Sequence, residues 1–124
     1  MPCTISYNTD RDNLVAIGDS ALYNNGTGAI YTYHASYNTA IGYHSARLNT
    51  TGYRNVALGR ESLCNNETGD YNTALGYASG TSAISTDLNN TTSIGNAAYV
   101  TASNTIHIGN TSITEIAGQG AFSI

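Results

Sequence analysis

Three near-identical octapeptides decide the fold: N-T-A-I-G-Y-H-S at Asn38–Ser45, N-V-A-L-G-R-E-S at Asn55–Ser62 and N-T-A-L-G-Y-A-S at Asn72–Ser79. Their glycines, Gly42, Gly59 and Gly76, recur every 17 residues. A fixed period with a fixed internal pattern marks a repeat protein, in which each unit buries its apolar surface only by stacking on its neighbours. Looser copies extend the array outwards, as L-V-A-I-G-D-S-A at Leu14–Ala21, T-T-S-I-G-N-A-A at Thr91–Ala98 and T-I-H-I-G-N-T-S at Thr105–Ser112. Six units result, with motif glycines at 18, 42, 59, 76, 95 and 109. The outer intervals vary, as a solenoid tolerates when surplus residues leave as loops.

Each motif reads as a short strand. The residue before the glycine is always a branched aliphatic (Ile17, Ile41, Leu58, Leu75, Ile94, Ile108), and the residue two earlier is always β-branched (Val15, Thr39, Val56, Thr73, Thr92, Ile106). Period-two alternation puts both rows on one face, and their apolar character directs that face into the coil interior. The small residues between them, Ala16, Ala40, Ala57, Ala74 and Ser93, then face outwards, and are the candidate contacts between subunits. Six repeats stacked at about 4.8 Å make a rod only about 30 Å long with a thin core, so oligomerisation into a closed ring of identical chains is expected.

Composition bounds the partners. The chain has 124 residues, a net charge of −4, four arginines and no lysine, which argues against nucleic acid and anionic lipid. It has no apolar run long enough for a transmembrane helix, so no direct membrane insertion is expected, and Met1-Pro2-Cys3 does not open a signal peptide. Cys3 and Cys64 are too few and too far apart for a disulfide framework or metal site, and read as unpaired thiols. No metal and no cofactor are expected. Polar composition alone would suggest disorder, but a disordered segment has no reason to place a branched aliphatic before every motif glycine. Residues 1–12 read as an N-terminal cap segment, 13–112 as the repeat domain and 113–124 as an exit or neck segment.

Candidate binding residues come from tyrosine, ten of which stand against one Phe and no Trp. Tyr43, Arg60 and Tyr77 occupy one position in successive repeats, so a ladder with the guanidinium between two rings is expected. Gly28 precedes Asn38 by ten residues where Gly52 and Gly69 precede their motif asparagines by three. The surplus, A-I-Y-T-Y-H-A at Ala29–Ala35, reads as an aromatic insertion, and Tyr31, Tyr33 and His34 are its candidate contacts. No nucleophile elbow, phosphate loop or metal spacing is present, so no enzyme is expected. His44 and Glu61 share a repeat position and are expected as neighbours forming an exposed ion pair. The N-x-S/T sequons at Asn25, Asn49, Asn66, Asn89, Asn90 and Asn110 read as turn chemistry.

From about Asn13 to Ser112 these repeats resemble the head repeats of trimeric autotransporter adhesins, the YadA-like family, and related head segments of phage tail fibres. The stretch N-T-I-H-I-G-N-T-S-I-T-E-I-A-G is similar to the segment that comes after the last coil in phage and virus fibre proteins. The resemblance implies an all-β fold, a left-handed parallel β-roll (β-solenoid) of about six coils assembled as a parallel homotrimer. It also implies an extracellular place on a bacterial surface or virion fibre, and partners among host-cell receptors, matrix proteins or glycans. Two other classes compete: a structural spacer without its own ligand, and an ice-binding β-solenoid. Against ice binding stands the expectation that Thr39, Thr73 and Thr92 face inwards.

Overall fold

A computed structural model describes residues 11–116; the outer parts of the expected cap and exit segments, and Cys3, lie outside the described residues. Among the described residues there are strands and turns but no helix. The strands are β1 (Val15–Ile17), β2 (Thr39–Ile41), β3 (Val56–Leu58), β4 (Thr73–Leu75), β5 (Gly80–Thr81), β6 (Thr92–Ile94), β7 (Tyr99–Val100) and β8 (Ile106–Ile108). Six form one parallel sheet in the order β1-β2-β3-β4-β6-β8, and β5 pairs with β7 in a second. All six motif copies supply a strand to the main sheet, and the winding amounts to a β-solenoid of about four turns. The register follows the motif, pairing Ala40 with Ala57 and Ala57 with Ala74.

Which way the rows face is the opposite of what the sequence reading expects. Ala40, Ala57, Ala74 and Ser93 are completely buried inside their own chain, and Ala16 is partly buried. Enclosed there, the four present no surface to a partner, which removes them as subunit contacts and leaves Ala16 at the margin of the same interior row. The branched rows face outwards instead, with exposures from 38% at Ile94 to 73% at Ile106 among the larger residues. Thr39 and Ile41 are half-buried on the same face.

The reason is the thinness of the roll. Opposite the main sheet runs a return wall on which Leu22, Ala46, Leu63 and Gly80 follow one another up the stack, each amide bonded to the repeat above. Large and small residues alternate along that row, and a Cβ on Gly80 would lie 2.9 Å from Leu63 Cδ2. Between walls this close, alanine and serine fit where isoleucine would not.

The remaining interior is a polar ladder. Asn38 Nδ2 donates to the Gly52 carbonyl (2.8 Å) and Asn55 Nδ2 to that of Gly69 (2.8 Å). The amide N–H of Asn55 donates to Asn38 Oδ1, and that of Asn72 to Asn55 Oδ1, both at 2.9 Å. A second asparagine column at the turns joins it, since Asn49 Nδ2 donates to Asn25 Oδ1 (2.8 Å) and Asn66 Nδ2 to Asn49 Oδ1 (3.1 Å). All six asparagines are buried to within 1% and hydrogen-bonded, as buried polar groups must be. Asn25, Asn49 and Asn66 are therefore structural, and their sequons are closed to modification in the folded chain.

Two backbone features bend the chain around this interior. Gly59 adopts φ 134°, and a Cβ there would lie 2.5 Å from the Gly76 carbonyl oxygen, so the motif glycine permits both the corner and the close stacking. The residue before each central motif asparagine, Tyr37, Arg54 or Tyr71, sits in the left-handed region at φ 56–59°. A non-glycine residue there costs of order 1 kcal/mol, and the bonds to adjacent repeats hold it in place.

Candidate ligand-binding surface

Because odd-numbered residues of β2 face out, the residues flanking the strand at the same parity also reach the surface. On one margin Tyr43, Arg60 and Tyr77 stack with the Arg60 guanidinium 5.6 and 5.5 Å from the two ring centres. On the other margin Tyr37, Arg54 and Tyr71 repeat the arrangement, with the Arg54 guanidinium at 5.7 and 5.5 Å. The outer face thus carries two aliphatic or β-branched rows framed by two Tyr-Arg-Tyr ladders. Sequence reasoning singles out only the first ladder, although the second recurs with the same residues at the same 17-residue period.

The insertion packs beside the second ladder. Asn25 Nδ2 donates to the Ala35 carbonyl as Asn49 and Asn66 do to those of Gly52 and Gly69, so Ala35 takes the place of the turn glycine. The seven surplus residues therefore lie before Ala35, at positions 28–34, a shift of one from the sequence reading. Arg11 straps the loop, donating to the Tyr31 carbonyl (2.8 Å) and more weakly to those of Thr32 and Ala29 (both 3.4 Å). Tyr31 and Tyr33 remain about half exposed, so the insertion displays its rings and does not bury them.

These rings continue an aromatic path across the repeats. Tyr31 and Tyr33 stack in parallel (5.5 Å), and His34 stands edge-on to both (5.0 and 4.9 Å). Tyr33 meets Tyr53 edge-to-face (5.4 Å), and Tyr53 meets Tyr71 likewise (5.3 Å). The structure thus brings Tyr31, Tyr33 and His34 together with Tyr53, Tyr71 and Arg54. It leaves Tyr43, Arg60 and Tyr77 at the opposite end of the strands, so the two groups of candidates do not form one continuous strip.

Electrostatics distinguish the members of the path. The Tyr53 hydroxyl lies 3.4 Å from that of Tyr71, to which Arg54 Nη1 donates (2.9 Å). The shared hydrogen bond, with burial and the nearby Asp70, pushes Tyr53 up to about 12; the bond from Tyr53, then that from Arg54, draws Tyr71 down. Asp70 Oδ1 accepts the Tyr53 amide (3.0 Å), and partial burial raises the Asp70 carboxyl above its usual range.

The other chemical candidates resolve differently. Glu61 pairs with Arg60 (3.1 Å) and not with His44, which stacks on the ring of Tyr43 at 3.8 Å. The expected His44–Glu61 pair is corrected accordingly: a guanidinium next in sequence outcompetes a largely neutral imidazole one repeat away. Cys64 is a free thiol pushed up first by burial and then by Glu61, which disfavours the reactive thiolate. His107 lies exposed on β8, where the alanine row ends. Among the described residues no group of three or more His, Cys, Asp or Glu side chains could hold a metal ion. No family model, curated protein or solved structure matches the chain.

Proposed function

We propose that the chain is the head of a homotrimeric surface fibre, a left-handed roll whose three copies pack their outward aliphatic rows together and display the aromatic surface to a receptor, matrix protein or glycan. The observation that carries this reading is the face of β1–β8 itself. Val15, Ile17, Val56, Leu58, Leu75, Ile94, Ile106 and Ile108 are exposed on one flat sheet of a single chain. Contiguous apolar surface of this kind marks an interaction site. Closed symmetry lets identical faces cover one another without leaving edges. The role is binding and not catalysis, on a cell surface or virion.

One alternative gains from the structure. Thr39 and Thr73 do point outwards, with Thr92 half-buried beside them, so their facing no longer argues against ice binding. The threonines alternate with Val15, Val56 and Ile106, however, and stand beside a row made wholly of Ile and Leu. A face this aliphatic suits protein packing better than the ordering of water.

Purified protein is to be applied to a glycan array, to wells coated with matrix proteins and to a thermal hysteresis assay. The proposal expects saturable binding to one glycan or matrix class, weakened when the assembly is made monomeric because avidity is lost. An intact trimer that binds none of these would establish the spacer, and hysteresis would establish the ice-binding reading.

A further inference from the structure

The insertion and the scaffold together enclose a cleft of about 150 Å³ lined by Tyr33, His34, Thr51, Tyr53, Thr68 and Asp70. We infer that this cleft is a sugar-binding site that takes a single uncharged pyranose ring, with Tyr33 and Tyr53 against its C–H face and Asp70, Thr51 and Thr68 on its hydroxyl rim. The inference deepens the adhesive reading and rests on it for the premise that the chain meets an outside ligand.

Three features select this chemistry. The size comes first: drug-sized ligands occupy pockets of about 300–1,000 Å³, so this cleft suits one small ring and not a chain of them. The second is the mixture of hydrogen-bonding groups. Asp70 spends Oδ1 on the Tyr53 amide, and its second oxygen makes no hydrogen bond among the described residues. The hydroxyls of Thr51 and Thr68 are likewise uncommitted there and can both donate and accept. A polyol presents hydroxyls that do both, so it uses the whole set.

The third feature is the form of the aromatic wall. Tyr33 and Tyr53 meet at 72° with centroids 5.4 Å apart, making a corner. Aromatic cages for ammonium groups need a slot between rings, which these two, touching edge to face, do not leave. The Asp70 carboxylate disfavours an anion. A sugar, with an apolar face on one side and a hydroxyl edge on the other, matches a corner of ring and carboxylate. His34, edge-on to Tyr31 and Tyr33, braces the loop wall, and its buried Nδ1 has no hydrogen-bond partner.

The site also falls where the array breaks its own pattern. Regular repeats present the same surface at every step, whereas Tyr33 and His34 exist once and Asp70 stands where neighbouring repeats carry Tyr53 and Asn89. Recognition at one point of a uniform rod requires such a singular place.

The test is a titration of the intact protein with methyl glycosides of glucose, galactose, mannose and N-acetylglucosamine, followed by NMR, with n-butylammonium and sulfate as charged comparators. Expected are shifts confined to Tyr33, Tyr53, Thr51, Thr68 and Asp70 with at least one glycoside, and a Kd in the millimolar range. Asp70→Asn keeps the acceptor for the Tyr53 amide and should stay folded, yet weaken that glycoside at least tenfold; Tyr33→Ala should do the same. If n-butylammonium shifts these signals and no glycoside does, the sugar assignment is overturned. If glycan-array binding persists unchanged in Asp70→Asn and Tyr33→Ala, this site is wrong while the adhesive reading stands. If no glycoside shifts them but the protein still binds a matrix protein, the sugar inference alone fails.

Discussion

Leu58→Glu is expected to yield folded single chains, whereas Ala57→Leu, one residue earlier, is expected to prevent folding. Leu58 is 41% exposed on the outer face of β3, and a carboxylate there meets only water in the isolated chain. In the proposed trimer three such carboxylates enter an apolar contact, where an unpaired buried charge costs several kcal/mol each, more than a small interface offsets. Ala57 is fully enclosed between the main sheet and the return wall. Three added carbons have nowhere to go, and overpacking of this kind costs typically about 1–3 kcal/mol, more where backbone forms the opposing wall. Circular dichroism and light scattering on the two variants read both effects. An unfolded Leu58→Glu beside a folded Ala57→Leu would reverse the facing of every row.

Asn55→Ala is the second large effect. It removes the Oδ1 acceptor of the Asn72 amide (2.9 Å) and the Nδ2 donor to the Gly69 carbonyl (2.8 Å), leaving two buried groups unpaired in the centre of the stack. Each such group costs about 1–3 kcal/mol, so a loss of about 2–6 kcal/mol is expected, read by denaturant or thermal unfolding. Asn65 supplies the control. It sits on a turn with one long bond to the Thr81 carbonyl (3.5 Å), and Asn65→Ala should cost less than about 1 kcal/mol. Equal losses in the two variants would mean that the ladder does not hold the stack together.

The repeat and its strands were open to reading in the sequence because their signal is periodic and local. Each three-residue strand of the main sheet coincides with the residues around the motif alanine, and the register follows from the glycines. The facing was not, and the physical reason is specific. Alternation says that Thr39 and Ile41 share a face and Ala40 has the other, but not which face is inside. The usual rule that branched aliphatics fill the core presumes an interior wide enough to hold them. Here the asparagine columns Asn38–Asn55–Asn72 and Asn49–Asn66 occupy that space, and read alone they pass for turn residues. The recurrence of a motif asparagine on the strand side of every tight repeat was the available clue.

The candidate surface divides in the same way. Tyr31, Tyr33 and His34 stand out because they interrupt the pattern, and the structure displays them. Thr51, Tyr53, Thr68 and Asp70 lie in linkers whose composition already has a conformational explanation, so nothing in the sequence marks them as walls of a cleft. Their relation to the insertion depends on Ala35 replacing the turn glycine, which sets the loop against Tyr53. Only the three-dimensional winding shows that.

The proposed assembly turns on what covers the aliphatic face of β1–β8. The direct measurement is the mass of the unmodified protein at micromolar concentration by light scattering or sedimentation equilibrium. A trimer requires three times the 13.0 kDa mass of the chain, and that is the predicted result. A folded protein at 13.0 kDa, with Val56, Leu58 and Leu75 bare to solvent, would contradict it.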